Sequence, residues 1–442
     1  MNKRLIALLV ASALVGLALT TPVVCAQTAR PARPYRSLFG SDSSSRPSLH
    51  NLNLTVSFNG AFDNGMASPD SASGATPAKF QDLYSATAAL VYVLRGKRVG
   101  VELSSTGNLP YNPRSAGNWR DMVSYASGAA ISVSGGSTSF RTNGGYTYTP
   151  YYSLSLAAAG APGPSIQPFD YSAERNPSEQ TSAGASLTQH FGKRTSASAG
   201  YLFNRSWFAT DGRSSHSQDA LLSIDRQLFR SFSVRGSYAY REGFFDTAGT
   251  PSTSRSQDVD VGLVYTSLST RGSATSIIVL VGSSFAREQP AQPAKWRGSA
   301  RVSRTFGQRW TAGAAFSRSL QFNSVLQQPV WADVANADLA GRFGRRVNLS
   351  MSASYSNGQR ASLPGSSFDI YSGAARLQIG LASFAAIDAQ YTYYRYSFPA
   401  GYQLPASLPS RMDRQRAQVG VSFWVPFVRA GRASEPRSRA NQ

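Results

Sequence analysis

Hydrophobic and polar residues alternate one by one along much of the chain. Over residues 51–59, apolar side chains occupy the even positions and polar ones the odd positions, and similar alternation recurs at 259–265 and 347–355. A period of two places successive side chains on opposite faces of a β-strand. The pattern therefore predicts an all-β protein, although a soluble sandwich and a membrane barrel share it.

Short turns and longer polar loops separate the predicted strands. Tight turns, several of them rich in Arg or Lys, occur at residues 94–98, 191–194, 228–231, 306–309 and 343–346. Short turns at one end and long loops at the other, joined by strands of about ten residues, are typical of a transmembrane β-barrel. The predicted long loops are 61–80, 105–120, 150–180, 209–217, 242–254, 287–294, 323–330, 358–367 and 399–411.

The same pattern predicts eighteen strands. An even number brings both termini to the short-turn side, as in outer-membrane barrels. The predicted strands are 51–60, 82–94, 98–104, 121–134, 138–149, 181–191, 195–208, 217–228, 232–241, 255–266, 274–286, 295–306, 310–322, 331–343, 347–357, 368–380, 384–398 and 412–427.

The first 26 residues have the features of a secretory signal peptide. Lys3 and Arg4 precede fifteen apolar residues, and a small residue, Ala26, ends the segment. Fifteen apolar residues fall short of the ~20 that a spanning helix needs, which argues against an uncleaved anchor. Val24 before Cys25 argues against a lipoprotein signal. We expect a signal peptide at 1–26, a basic periplasmic segment at 27–49, a barrel at 50–427 and a basic periplasmic tail at 428–442.

Aromatic residues collect near both ends of the predicted strands. Two such girdles around an apolar band ~25 Å tall are typical of a membrane barrel, whereas a sandwich would bury its aromatics mid-strand. Near the short turns lie Phe191, Phe232, Phe306, Trp310, Phe343, Phe384 and Phe427. Near the long loops lie Tyr146, Tyr148, Phe203, Trp207, Tyr238, Tyr240, Phe322, Tyr391 and Tyr393.

The last predicted strand carries a polar-x-Gly-x-x-aromatic-x-hydrophobic pattern, formed by Gln418, Gly420, Phe423 and Val425. This pattern resembles the assembly signal of Gram-negative outer-membrane β-barrels. With the signal peptide, turns and girdles, it makes the chain similar to porin-like barrels, which include the large barrels of exopolysaccharide export systems. The resemblance implies a single antiparallel up-and-down barrel of about 18 strands in the outer membrane, with the barrel assembly machinery as a partner.

The formal net charge is +21, and most of it falls on the predicted periplasmic side. After loss of the signal peptide +19 remains, of which the 27–49 segment carries +3, the tail +3 and the short turns +10. These charges ring a barrel mouth and form no groove with stacking aromatics, so nucleic acid is not an expected partner. They indicate either a solvated rim or attraction to anionic lipid, cell-wall carboxylates or an acidic periplasmic partner.

Strand parity turns nine arginines and seven acids toward the predicted lumen, an excess that predicts a weak anion preference. Some of these residues could instead form structural salt bridges between neighbouring strands. The predicted lumen residues are Arg141, Arg235, Arg241, Arg297, Arg301, Arg342, Arg376, Arg414, Arg416, Glu102, Asp219, Asp225, Asp258, Asp260, Asp338 and Asp388.

Three arginines, Arg205, Arg318 and Arg395, fall instead at lipid-facing parity near the long loops. Arg at the bilayer midplane of a barrel costs about 2–4 kcal/mol, but about 0–1 kcal/mol near the interface. We therefore expect these side chains to reach the outer headgroups and contact lipopolysaccharide phosphates. The alternative is a local bulge that turns one or more of them into the lumen.

Catalytic and metal sites are not expected. The chain has one Cys and three His, and it contains no hydrolase set, zinc, calcium or nucleotide motif. We therefore expect no enzyme activity, cofactor or metal.

The favoured function is an outer-membrane channel for passive passage of small polar solutes; the alternatives are a conduit for exopolysaccharide secretion and a structural or adhesive surface barrel. Loop 150–180 resembles the constriction loop of porins in its length.

Overall fold

The chain forms a closed antiparallel β-barrel, and the prediction of an eighteen-stranded barrel is confirmed. Each strand pairs with its neighbour in sequence, and β1 pairs with β18 to close the sheet. In the part of the chain that is described, no helix has the length and hydropathy of a membrane span. The computed structural model describes residues 48–64, 81–111, 123–150, 177–209, 212–247, 250–268, 274–287, 294–307, 309–344, 346–360, 367–399, 402, 404 and 410–432.

The strands are β1 (Ser48–Asp63), β2 (Gln81–Arg95), β3 (Val99–Tyr111), β4 (Ser124–Gly135), β5 (Thr138–Thr149), β6 (Ser178–Phe191), β7 (Thr195–Phe208), β8 (Ser214–Gln227), β9 (Phe232–Thr247), β10 (Thr250–Leu268), β11 (Ala274–Arg287), β12 (Lys295–Phe306), β13 (Trp310–Asn323), β14 (Gln328–Phe343), β15 (Val347–Arg360), β16 (Ser367–Ala382), β17 (Ala385–Ser397) and β18 (Arg411–Arg432). Three of them, β5, β7 and β12, have the predicted bounds. Most others are longer than predicted, chiefly at the long-loop end. Strands β9 and β10 extend through most of the predicted loop 242–254, and β18 continues past residue 427.

The alternation along each strand separates an apolar outer face from a polar inner one. On β10, Val261 and Leu263 lie on the outer surface with 61% and 56% exposure. Asp258 and Asp260, at alternate positions of the same strand, face the lumen and are only 1% and 7% exposed. A lipid-facing wall needs apolar side chains outside, while all backbone groups pair between strands. The sequence pattern therefore determines which residues face the lumen.

The short turns close where glycines adopt a left-handed backbone. Gly192, Gly307 and Gly344 have φ of 75°, 53° and 63°, a region that residues with a Cβ adopt at a cost. Beside these turns, phenylalanines such as Phe191 and Phe343 project from the outer surface, with exposed fractions of 60% and 54%. This is the aromatic girdle predicted for the short-turn end.

The wall is interrupted between β12 and β13 at the long-loop end. Their ladder stops at the pair Gly298↔Arg318, whereas β13 continues to pair with β14 up to Asn323↔Gln328. Beyond Arg318, β13 therefore has no backbone pairing with β12 among the described residues. We call residues 319–334, which comprise the end of β13, the turn and the start of β14, the inner hairpin, because this segment bends into the lumen.

Two apolar clusters lie inside the barrel, one on each side of the inner hairpin. One face packs Val325, Leu326, Val330, Ala332 and Val334 against inward side chains of β16–β18. The other packs Leu320 and Trp331 against Ala286 of β11, with Phe322 beside them. The residues that join the first cluster from elsewhere are Phe208, Phe368, Ile370, Tyr394, Tyr396, Phe398 and Met412, with Tyr402 and Leu404 at its margin.

Candidate functional site: the barrel lumen

The lumen is lined by side chains of one parity from every strand. By their strand parity and register, all sixteen charged residues predicted for the lumen lie on the inner face. They do not form a single patch, because most pair with each other across neighbouring strands. Arg235 and Asp225 form a two-point ion pair, with Nε–Oδ1 2.6 Å and Nη2–Oδ2 3.2 Å.

A second inward pair lies on β16 and β17. Nη2 of Arg376 donates to Oδ1 of Asp388 at 2.7 Å, and the hydroxyl of Ser422 on β18 donates to Oδ2 of the same carboxylate at 2.6 Å. Three neighbouring strands are therefore tied together by one buried carboxylate. Such cross-strand contacts stabilise the register of the sheet.

The seam that closes the barrel holds the most buried ion pair. Arg414 donates from Nε and Nη2 to the carboxylate of Asp63 at 2.9 Å and 2.5 Å, and their side chains are 3% and 0% exposed. Asp63 was not among the predicted lumen residues, because the sequence prediction placed it in loop 61–80. The last residue of β1 is thus fixed to β18 at the long-loop end.

A larger charged network lies on β8–β12. Nη1 of Arg297 contacts Asp258, and Nε of Arg297 lies 3.1 Å from Oδ1 of Asp260. Arg241 lies 3.4 Å from Asp258 and 4.0 Å from Asp219. Two arginines therefore lie among three carboxylates, in a region where an isolated charge would be strongly destabilising.

Arg241 also connects this network to the inner hairpin. Its Nη1 donates to the backbone carbonyl of Leu320 at 3.0 Å, although Leu320 belongs to a strand four positions away in the sheet. Beside this contact, Phe322 packs on Gly243 of β9, and its ring centroid lies 6.1 Å from that of Phe245. The inner hairpin therefore packs against the inward face of β9.

The tip of the inner hairpin reaches still further across the lumen. Nη1 of Arg213, which precedes β8, donates to the carbonyl of Val325 at 3.3 Å. Phe208 of β7, seven strands from β14, joins the apolar cluster that contains Val325 and Leu326. The inner hairpin therefore narrows the lumen.

Loop 150–180, which resembles the constriction loop of porins in its length, lies mostly outside the described residues.

Local contacts shape the turn of the inner hairpin. The side-chain carbonyl of Asn323 accepts a hydrogen bond from the backbone N–H of Leu326 at 2.8 Å. Gln327 has φ of 52°, the one positive value among described non-glycine residues, and its side chain donates to the carbonyl of Ser324 at 2.5 Å. A strained residue held by its neighbours is common at functional segments.

The sequence-based prediction missed this segment and placed Phe322 in the outer aromatic girdle. That placement was wrong, because Phe322 lies beside Gly243 on the lumen side. Parity alone could not reveal this, since Leu320 and Phe322 continue the outward parity of Phe316. One signal was present: residues 330–332 are apolar at both parities, as expected for a strand that is covered on both faces.

Two cavities lie in the long-loop half of the lumen. The larger, of about 310 Å³, is bounded by inward residues of β1–β5, β17 and β18. The smaller, of about 250 Å³, lies between residues of β6–β9, Arg205 among them, and residues Phe322 and Ser324 of the inner hairpin. Both are lined mainly by hydroxyl and amide side chains.

The three arginines at lipid-facing parity are in different surroundings. Arg318 contacts Asp333 at 3.2 Å and lies over the ring of Trp296, 4.6 Å from its centroid. Arg395 lies opposite Asp413 in the register of β17 and β18, and Arg205 is exposed. Contact of these residues with lipopolysaccharide remains a proposal.

The four residues of the predicted assembly signal lie on both faces of β18. Phe423 and Val425 project from the outer surface with 38% and 44% exposure, whereas Gln418 lines the larger cavity. A Cβ on Gly420 would collide with the amide of Asn59 on β1. A glycine is therefore needed for close packing at the seam, independently of any recognition by the assembly machinery.

Metal ligands are sparse in the described segments, where no group of three or more His, Cys, Asp or Glu residues could hold a metal ion. No family model matches the sequence, and no curated protein matches it.

Several solved outer-membrane proteins are similar in structure at low sequence identity. OccAB4 of Acinetobacter baumannii is 12% identical, with 85% of this chain and 98% of that chain covered at a TM-score of 0.44. OpdL of Pseudomonas aeruginosa is 11% identical, with coverage of 86% and 99% and a TM-score of 0.43. OccK2 (OpdF) of the same organism, solved in complex with glucuronate, is 10% identical, with coverage of 87% and 100% and a TM-score of 0.46. The assignment of the barrel itself rests on the strand pairing described above.

Proposed function

We propose that the chain is an outer-membrane channel for the passive passage of small polar solutes. The observation that supports this most directly is the closed eighteen-stranded wall, apolar outside and polar inside. Barrels of about 16–18 strands leave an aqueous channel, because side chains alone do not fill the interior. The cavity of about 310 Å³ within the lumen is consistent with such a path.

The inner hairpin favours small solutes over polymers. It occupies part of the long-loop half of the lumen and is held from both sides by buried side chains. A polymer conduit would require this segment to move away, whereas a small solute passes beside it.

A weak anion preference is part of the proposal. Most inward carboxylates lie beside arginines, whereas Arg141, Arg342 and Arg416 have no carboxylate within 4.0 Å among the described residues. Glu102 and Asp338 are inward acids with no arginine within 4.0 Å among the described residues. Among these inward groups, arginines therefore outnumber acids by three to two, a small excess that supports a weak anion preference.

Planar-bilayer recording tests the proposed function. Purified protein should give stepwise ionic conductance, while the same detergent without protein should give none. A folded barrel that never conducts would refute the channel and leave the structural or adhesive alternative.

A further inference from the structure

Most residues that line the larger lumen cavity have hydroxyl or amide side chains. Its wall includes Ser85, Thr87, Thr106, Asn108 and Gln390. Each of these side chains can both donate and accept hydrogen bonds. One such pair is already formed across the wall, where the Thr87 hydroxyl donates to Oδ1 of Asn108 at 3.1 Å. Groups of this kind match the hydroxyl groups of a solute, which also act in both roles.

This cavity contains one arginine without a carboxylate within 4.0 Å among the described residues. No Asp, Glu or Lys is among the described residues that line it, and two arginines are. Arg414 is held by the carboxylate of Asp63, and Nη2 of Arg416 donates to Oε1 of Gln418 at 2.8 Å. The hydrogen bond to Gln418 does not neutralise Arg416, so the cavity offers many neutral hydrogen-bonding groups and a single positive charge.

An aromatic edge adjoins the polar wall. Tyr394 lines the cavity and also belongs to the apolar cluster around the inner hairpin. A sugar ring has a C–H face that packs on an aromatic surface and a rim of hydroxyls that needs polar partners. A volume of about 310 Å³ lies at the lower end of the about 300–1,000 Å³ range of small-molecule pockets.

We infer that this cavity is a binding site for hydroxyl-rich solutes, neutral or singly anionic, of the size of a mono- or disaccharide. The inference rests on the proposed channel function, since a solute reaches the cavity through the lumen. A hydroxyl-matched site discriminates against analogues that leave its polar groups without partners.

Block of the ionic current by sugars tests the inference. Glucose, glucosamine and glucuronate have the same ring and differ in charge, and sucrose adds a second ring. We expect glucose, sucrose and glucuronate to reduce the current saturably, with lower half-blocking concentrations than glucosamine, because the Arg416 guanidinium repels its ammonium group. A value for glucosamine at or below that of glucose, or equal block by all four, would overturn the inference.

The variant T87V/N108L removes the hydrogen-bonding groups of one pair while keeping similar side-chain volume. It should raise the half-blocking concentration of glucose roughly fivefold, as expected for one lost hydrogen-bonding pair. The matched control is T138V/Q189L, because Thr138 and Gln189 form the same kind of pair at 2.6 Å on the exposed surface near a short turn. The half-blocking concentration of glucose for this control should equal that for the wild type.

The outcomes separate the two proposals. A wild-type barrel that conducts ions but is not blocked by sugars would refute the sugar site and retain the channel. A wild-type barrel that conducts nothing would refute both. Equal block of T87V/N108L and wild type would place any sugar binding outside this cavity and overturn the inference.

Discussion

The contact between the inner hairpin and β9 is where a single added side chain should alter the channel. Gly243 faces the lumen, and a Cβ at this position would lie 2.8 Å from Cγ and 2.9 Å from Cδ1 of Phe322. Protein interiors are packed too densely to absorb such an approach without movement. The substitution G243V therefore forces the ring of Phe322, and with it the hairpin, away from β9.

The size of the effect follows from the cost of overpacking. Extra methyl groups in a packed site cost about 1–3 kcal/mol, and every ~1.4 kcal/mol changes an equilibrium tenfold. The ratio of displaced to docked hairpins should therefore rise roughly 5- to 150-fold. We expect the displaced state to appear as an additional level of higher conductance.

Single-channel recording measures this directly, and G236V provides the control. Gly236 lies on the same strand, and a Cβ there meets nothing within 4 Å, so G236V should conduct like the wild type. Both variants are first checked for a folded barrel by heat-modifiable migration on gels. If folded G243V shows the wild-type conductance with no new level, the inner hairpin does not restrict the path.

Three further measurements address other parts of the structure. Replacing Arg414 with Gln removes the ion pair that Arg414 forms with the fully buried Asp63 and should cost about 3–5 kcal/mol of stability. The double variant D63N/R414Q should recover part of this in urea unfolding, and full stability of R414Q alone would contradict the argument. The reversal potential in a salt gradient should indicate a mild anion preference, and clear cation selectivity would refute that expectation. Changing Arg205, Arg318 and Arg395 to Ser should reduce co-purified lipopolysaccharide, whereas altered ion selectivity in this variant would place them in the channel.

The wall of the barrel could be predicted from the sequence because successive residues of a strand face lipid and water in turn, and are therefore apolar and polar in turn. The bounds of β7 and β12 follow from their alternation and from the turns at their ends. The inward parity of Arg235 and Asp225 follows from the same period of two. Their ion pair, by contrast, depends on register between strands, which the sequence indicates only through the turn length.

The interior could not be predicted in the same way. The position of Phe322 depends on where β13 leaves β12, and this depends on contacts between residues distant in sequence, such as Arg241 with the carbonyl of Leu320. A backbone carbonyl has no sequence signature. Asp63 was assigned to a loop because an apolar-polar pattern weakens near a strand end, although its pairing with β18 extends that strand.

The apolar clusters on both faces of the inner hairpin have a thermodynamic consequence that the outer wall does not share. In the inserted barrel, outer side chains such as Val261 contact lipid whether or not the hairpin is docked, whereas Val330 and Val334, both 0% exposed, are removed from the water of the lumen when it docks. Burial from water carries a heat-capacity change of about 0.45 cal/mol/K for each Å² of apolar surface. Docking of the hairpin is therefore driven by the removal of its apolar side chains from the water of the lumen, and not by the bilayer. The free energy of docking should depend on temperature differently from the stability of the membrane-embedded strands.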